Sequence, residues 1–168
     1  MIDVAAVRTE QDLADVRHLM RSFVAWHHER HAQDRALVDE YFDPVAFDAE
    51  VAALPGKYAP PSGRLLLARS GGEAAGCVAL RDLGGNACEM KRMFVRDGMR
   101  GRGVGRALAE ALVAEARGAG YSSMRLDTSV RQVEALGLYA SLGFEPVEPY
   151  QELPVSLRRW LVFLERPL

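Results

Sequence analysis

Residues 87–112, ACEMKRMFVRDGMRGRGVGRALAEAL, hold the stretch on which the reading of this chain turns. Ala87 to Val95 is strand-like, Gly101 to Gly105 is a glycine-rich turn, and Val104, Leu108, Ala111, Leu112 and Ala116 recur as one helical stripe. Gly118 and Gly120 end that helix, and Met124 to Asp127 reads as the next strand. A strand, a helix and a second strand in this order imply local parallel pairing through a crossover. The first N–H groups of a helix have no acceptor within it and can face an anion. Glycines let a phosphate approach without obstruction by Cβ. Arg100, Arg102 and Arg106 add positive charge around the turn. A tight helix entry with solvated arginines is the plainer alternative.

The flanking sequence completes a mixed pattern. Upstream, Ile2 to Val7 reads as a first strand, and Thr9 with Asp12 forms a capping-box pattern with Asp in the usual Glu or Gln position. Leu13, Val16, Leu19, Met20 and Phe23 follow at helical spacing, with His27, His28 and His31 near the helix end. Val45 to Leu54 reads as a helix entered through Pro44. Leu65 to Ala68 and Gly76 to Leu80 flank Gly71-Gly72 as a hairpin. Downstream come a helix from Val133 to Leu142 and strands from Phe144 to Val147 and Trp160 to Leu164, with Glu145 to Pro154 a surface connection. The sum is a mixed α/β (α+β) chain with helices covering a central sheet.

Length and composition exclude several classes. The chain has 168 residues, 49% apolar and 26% charged, and its 21 basic and 23 acidic residues leave a net charge of −2. One domain spanning 1–168 is expected, with no global charge bias toward nucleic acid. Cys77 and Cys88 lack metal-ligand spacing. The acidic start has no basic-then-apolar signal, and no apolar run approaches a membrane span, so a cytoplasmic protein without a membrane partner is the expectation.

Two nucleotide motifs fail at the glycine turn. A G-x-G-x-x-G fingerprint starting at Gly101 ends on Arg106, and no Gly-Lys-Ser/Thr follows. Asp127 lies near the distance at which a dinucleotide site keeps an acid, but a strand-end role is the simpler account. The turn instead resembles that of the GNAT superfamily of N-acyltransferases, whose Q/R-x-x-G-x-G/A signature is met by Arg100, Gly103 and Gly105. CEMKRMFV before it and ALGLYASLGF after it reinforce the likeness, in family order from Cys88 to Phe144.

The resemblance implies a predominantly antiparallel mixed sheet whose central parallel strands splay around acyl-CoA, with acetyl-CoA as cosubstrate and no metal. Backbone N–H groups of Arg100, Gly101, Arg102, Gly103, Val104, Gly105 and Arg106 would hold the pyrophosphate. Met93, Phe94 and Val95 would pair with the pantetheine arm, since unpaired strand amides can bind an extended ligand. Gln132 stands where the family commonly has Asn. The resemblance further implies direct acyl transfer to an amine acceptor, leaves a homodimer open, and makes Tyr139 the proton donor to the departing sulfur. An unperturbed tyrosine is protonated at neutral pH, its pKa being about 10.

Glu89 is the expected general base, direct or through water, as acids at this position serve in some relatives. Ideal alternation puts Glu89, Lys91, Met93 and Val95 on one face, with Glu89 roughly 13 Å from Met93. A β-bulge would redirect these side chains, and a Glu89–Lys91 surface or interface pair is the rival account. Cys88 reads as a small buried cysteine rather than a nucleophile. His27 and His31 read as a solvated helix end rather than a metal site, and Tyr150 as a partly exposed aromatic. Two other functions remain at this level: a noncatalytic CoA-binding regulatory domain and a nicotinamide-nucleotide enzyme.

Overall fold

The computed structural model describes residues 1–168. Strand β1 (Ile2–Ala6) leads to helix α1 (Glu10–Arg30). Thr9 Oγ1 accepts from the Asp12 N–H at 3.1 Å, and Asp12 Oδ2 accepts from the Thr9 N–H at 3.1 Å, so the shorter acid completes the reciprocal cap. Val16, Leu19, Met20 and Phe23 are buried along α1. Helix α2 (Arg35–Tyr41) follows a single 3-10 turn, and α3 (Pro44–Ala52) starts where Asp43 accepts from the Ala46 N–H at 2.9 Å.

Strands β2 (Arg64–Ser70) and β3 (Glu73–Gly84) form the expected hairpin. Gly71 and Gly72 have φ of +60° and +85°, the sign a primed two-residue turn requires. Strand β4 (Ala87–Val95) pairs with β3. Then come α4 (Val104–Gly118), β5 (Ser123–Ser129), α5 (Val133–Ser141), β6 (Glu145–Pro146), α6 (Val155–Trp160) and β7 (Leu161–Pro167). The seven strands lie in the order β1-β2-β3-β4-β5-β7-β6. Every adjacent pair is antiparallel except β4–β5.

Each face of the sheet carries its own core. On one, Val16, Met20 and Phe23 of α1 meet Val38, Phe47, Phe94 and Trp160. On the other, Leu108, Leu112 and Ala116 of α4 meet Leu66, Val78, Met124 and Leu126. Full burial of one such aliphatic or aromatic side chain contributes about 1.5–3 kcal/mol before conformational entropy is counted.

Two features of β4 shape the site. Only three rungs join it to β5: Ala87↔Ser123, Cys88↔Met124 and Glu89↔Arg125. Beyond them the strands part. Opposite β3, Cys77 faces Phe94 and Ala79 faces Lys91, so Arg92 and Met93 together oppose Val78. Arg92 holds φ of +58°, a left-handed conformation uncommon outside glycine. This bulge corrects the ideal alternation. Met93 and Val95 pack toward the α4 core, while Lys91 turns to Tyr41 on the α1–α3 face.

The late segment also differs from its sequence reading. Of Phe144 to Val147 only Glu145–Pro146 is a strand, and Phe144 is buried beside Tyr139. Trp160 closes α6, and the last strand begins one residue later. Helices α2 and α6 have seven and six residues, too short to show a helical period.

Candidate active site

The parting of β4 and β5 opens a cleft. Met90, Lys91, Arg92 and Met93 form one wall, Leu126 to Ser129 the other, and Gln132, which caps α5, and Tyr139 within α5 also line it. The backbone of Met90–Val95 has no β5 partner on this side. At the far end of β4, Gly101 and Gly103 hold φ of +72° and +85°, and Gly103 caps α4. The first α4 hydrogen bond is made by the Ala107 N–H to Gly103 O at 3.0 Å. The N–H groups of Val104, Gly105 and Arg106 precede it and have no intrahelical acceptor. A Cβ at Gly105 would touch Leu138 at 3.4 Å and Val95 at 3.7 Å. The chain therefore presents open strand amides next to an anion-accepting helix start, which suits an extended ligand carrying a diphosphate.

The arginines contribute unequally. Arg100 donates through Nε to Val95 O at 3.0 Å and stacks on Trp26 at 4.5 Å. Arg106 turns along α4, reaching Ser141 Oγ at 2.7 Å and Glu110 at 3.4 Å. Arg102 is exposed. The peptide groups, rather than three converging guanidinium ions, define the turn. Phe94 is buried against Phe23, their ring centroids 5.3 Å apart, so only its backbone faces the opened edge. Gln132 sits at the start of α5, its N–H bonded to Ser129 O at 3.1 Å.

Tyr139 is 6% exposed and meets Phe144 edge-on at 5.8 Å. Burial, with the Asp127 carboxylate second, raises its pKa above the usual range. Its hydroxyl is held neutral, and the residue lines the cleft. Opposite it, Asp127 Oδ1 accepts from Tyr41 Oη at 2.5 Å, and Tyr41 Oη accepts from Lys91 Nζ at 3.2 Å. Asp127 therefore does more than close a strand end.

Glu89 makes the last rung between β4 and β5 and is 0% exposed. Oε1 accepts from Arg81 Nε at 2.7 Å, and Lys91 Nζ stands 3.7 Å from it. Oε2 accepts from Tyr150 Oη at 2.6 Å and Gln151 Nε2 at 2.7 Å. Burial pushes its pKa up, but Lys91, the Tyr150 hydrogen bond and Arg81 outweigh it, leaving the net shift downward. The pair with Lys91 is thus internal, correcting the surface alternative. A carboxylate with its acceptor positions filled by protein donors holds its neighbours better than it receives a substrate proton. The same network ties Tyr150 and Gln151 to Glu89, although their segment read as surface connection.

His27 and His31 are buried rather than solvated, with 2% and 0% exposure. Their Nδ1 atoms stand 3.1 Å apart, and His31 Nε2 reaches Ser129 Oγ at 3.0 Å. Burial, then the neighbouring His31, lowers the His27 pKa to about 3. No group of three or more His, Cys, Asp and Glu side chains converges as a metal-ligand set. Burial pushes the Cys88 thiol up to about 12, and its Sγ donates to Ser123 O at 3.5 Å, so it is poorly suited as a nucleophile. Arg92 is clamped by Glu50 at 2.8 and 3.2 Å and lies over the Phe42 and Phe47 rings.

Sequence reading brought Tyr139, Gln132 and Met93 to this cleft and dismissed Asp127. It missed Tyr41 entirely. The only local signal for Tyr41 was its place at the end of an apolar and charged run just before Phe42 and the Asp43-Pro44 stop.

Comparison with known proteins gives one consistent result. The acetyltransferase (GNAT) family model matches residues 23–144. An uncharacterized N-acetyltransferase of Schizosaccharomyces pombe is 38% identical over 156 residues, covering 92% of this chain and 89% of the relative. A GNAT-family acetyltransferase structure from Staphylococcus aureus Mu50 superposes with a TM-score of 0.75 at 17% identity, over 99% of each chain. The PaiA N-acetyltransferase of Thermoplasma acidophilum, solved in complex with coenzyme A, gives 0.73 at 14% identity, over 100% of this chain and 99% of that one.

Proposed function

The chain belongs to the GNAT acetyltransferase family, and on that premise we propose that it moves the acetyl group of acetyl-CoA directly to a primary amine. The observation that carries this reading is the continuity between the unpaired β4 edge and the start of α4. Backbone groups of Met93 to Val95 bind the pantetheine arm, and N–H groups from Arg100 to Arg106 bind the diphosphate. That path aims the thioester at the cleft between Met93 and Tyr139. Gln132 borders it from the start of α5.

Tyr139 donates its phenolic proton to the departing sulfur. Sulfur gains basicity as the C–S bond breaks, approaching that of a thiolate with a thiol pKa near 8.5, and a protonated phenol beside it supplies the proton at that stage. Direct attack is favoured over an acyl-cysteine because Cys88 is buried and strongly protonated. Glu89 serves as the internal counter-charge that holds Arg81, Lys91, Tyr150 and Gln151 together where β4 and β5 last pair.

Calorimetry with acetyl-CoA, paired with a thiol-release assay over a panel of primary amines, tests the reading. Wild-type protein is expected to bind acetyl-CoA and release CoA with at least one amine. Gly103→Asp places a carboxylate at the helix start, and aspartate tolerates a left-handed backbone better than most residues. It is expected to weaken acetyl-CoA binding about tenfold or more, or about 1.4 kcal/mol. Unchanged affinity in a folded variant would count against the diphosphate site.

A further inference from the structure

We infer that Asp127 binds the acceptor amine and takes its proton, and that Tyr41 and Lys91 position it. This rests on the acetyl-transfer reading above.

The placement follows from the sheet. Glu89↔Arg125 is the last rung between β4 and β5. Two residues further along each strand, beyond the last backbone pairing, come Lys91 and Asp127. Both turn to the side occupied by Tyr41, whereas Met90, Leu126 and Tyr139 belong to the opposite core. Asp127 therefore stands across the cleft from the sulfur's proton donor. An acceptor arriving from the α2 side meets Asp127 first, and the thioester carbonyl lies beyond it.

The hydrogen bonds also fix its direction. Lys91 is a donor only, so Tyr41 Oη must accept from it and spend its own proton on Asp127 Oδ1. Asp127 lines the cleft, and its Oδ2 has no protein donor. The other nearby bases are worse placed. Glu89 has both oxygens occupied, and His27 is packed between Phe23 and His31 with its Nδ1 turned to the latter. Tyr41 of α2 contacts Asp127, and Lys91 of β4, Tyr139 of α5 and Tyr150 of the late loop are the other titratable groups that feel its charge.

The reaction then balances. The substrate ammonium gives one proton to Asp127 Oδ2, which later passes it to water. The freed nitrogen lone pair attacks the thioester carbonyl carbon, forming the C–N bond. The C–S bond breaks as Tyr139 protonates sulfur. The second proton lost by nitrogen restores the Tyr139 hydroxyl. The products are amide, CoA thiol and one released proton.

The test is kcat/KM for the amine against pH, from about 6 to 9, for wild type, Asp127→Asn and Asp127→Glu. Acetyl-CoA affinity and thermal unfolding are measured on the same proteins. Wild type should be nearly level with pH, because Asp127 binds the abundant ammonium form. Asp127→Asn keeps an acceptor for Tyr41 but removes the base. It should lose about 100-fold or more at pH 7 and rise about tenfold per pH unit toward the amine's own pKa near 10.4. Its acetyl-CoA affinity should stay within about threefold of wild type, and Asp127→Glu should recover part of the rate. Tyr41→Phe, the second variant should Asp127→Asn fail to fold, should raise the amine KM several-fold while keeping the level profile. An Asp127→Asn rate within about threefold of wild type and a parallel profile would overturn the inference, as would a Tyr41→Phe variant with unchanged KM. Wild type that binds acetyl-CoA but acetylates no amine in the panel overturns the acetyl-transfer reading and this inference together. Turnover by wild type with no loss in the variants overturns this inference alone.

Discussion

In the proposed reaction a single hydroxyl, that of Tyr139, protonates the departing thiol. Tyr139 sits between the α4 core and the cleft, and its ring packs on Phe144 whether or not the hydroxyl is present. Tyr139→Phe should therefore bind acetyl-CoA nearly as wild type does and lower kcat by about 10²-fold, the usual share of one general acid. Stopped-flow detection of thiol release with saturating acetyl-CoA checks this, and an unchanged kcat across pH would reject the assignment. Residues also show where reading a sequence stops. The place of Tyr139 in the cleft was legible because a dense local motif surrounds it. Glu89 was legible as a special carboxylate, but its partners Arg81, Tyr150 and Gln151 lie 8, 61 and 62 positions away. Whether such an acid is free or saturated depends on contacts that no local pattern encodes. Asp127 failed to stand out for the same reason, since Tyr41 is 86 positions distant.

At the scale of elements, most of their succession along the chain and the glycine turn were readable because alternation, helical spacing and turn residues are local. The bulge at Arg92 was not. A bulge is set by how a strand meets its partner, here Val78 against two residues, and it redirects every side chain after it. The approach of β3 to β4 and α4 is comparably sensitive. A Cβ on Gly76 would stand 2.6 Å from Phe94 O and 3.0 Å from Leu108 Cδ1. Backbone cannot move aside as a flexible side chain does. Gly76→Ala should destabilise the fold by roughly 1–3 kcal/mol, read as a lower urea midpoint, and should weaken acetyl-CoA binding because Phe94 and Val95 would shift. An unchanged midpoint would show that β4 yields more easily than its contacts imply.

For the whole molecule, acid should be the effective denaturant. His27 is neutral in the fold, its pKa lowered by burial from 6.5 to about 3. The unfolded chain binds that proton at higher pH, so the contribution is complete above about 6.5 and is lost as pH falls toward 3. Glu50 adds a second limb. Burial alone would raise its pKa, but Arg92 and Lys57 carry it down from 4.5 to about 2. Its contribution is present above about 4.5 and disappears as pH falls toward 2. Urea titrations at a series of pH values should show stability declining by up to about 1.4 kcal/mol per pH unit just below 6.5, then more steeply below 4.5. His27→Gln should flatten the first limb, and a first limb unchanged in that variant would remove His27 as its source.

The three rungs between β4 and β5 have a mechanical consequence. They make the sheet two panels, one of four strands and one of three, fastened at one end only. Side-chain ties such as Arg30–Glu134 and His31–Ser129 bridge the panels without continuing the backbone ladder. Amide deuterium uptake should therefore report two separately loosening bodies, with the seam at Met90–Val95 and Leu126–Ser129 exchanging early. A guest seated in that seam would act as mortar, joining both panels into a single cooperative body and slowing exchange in strands it never touches.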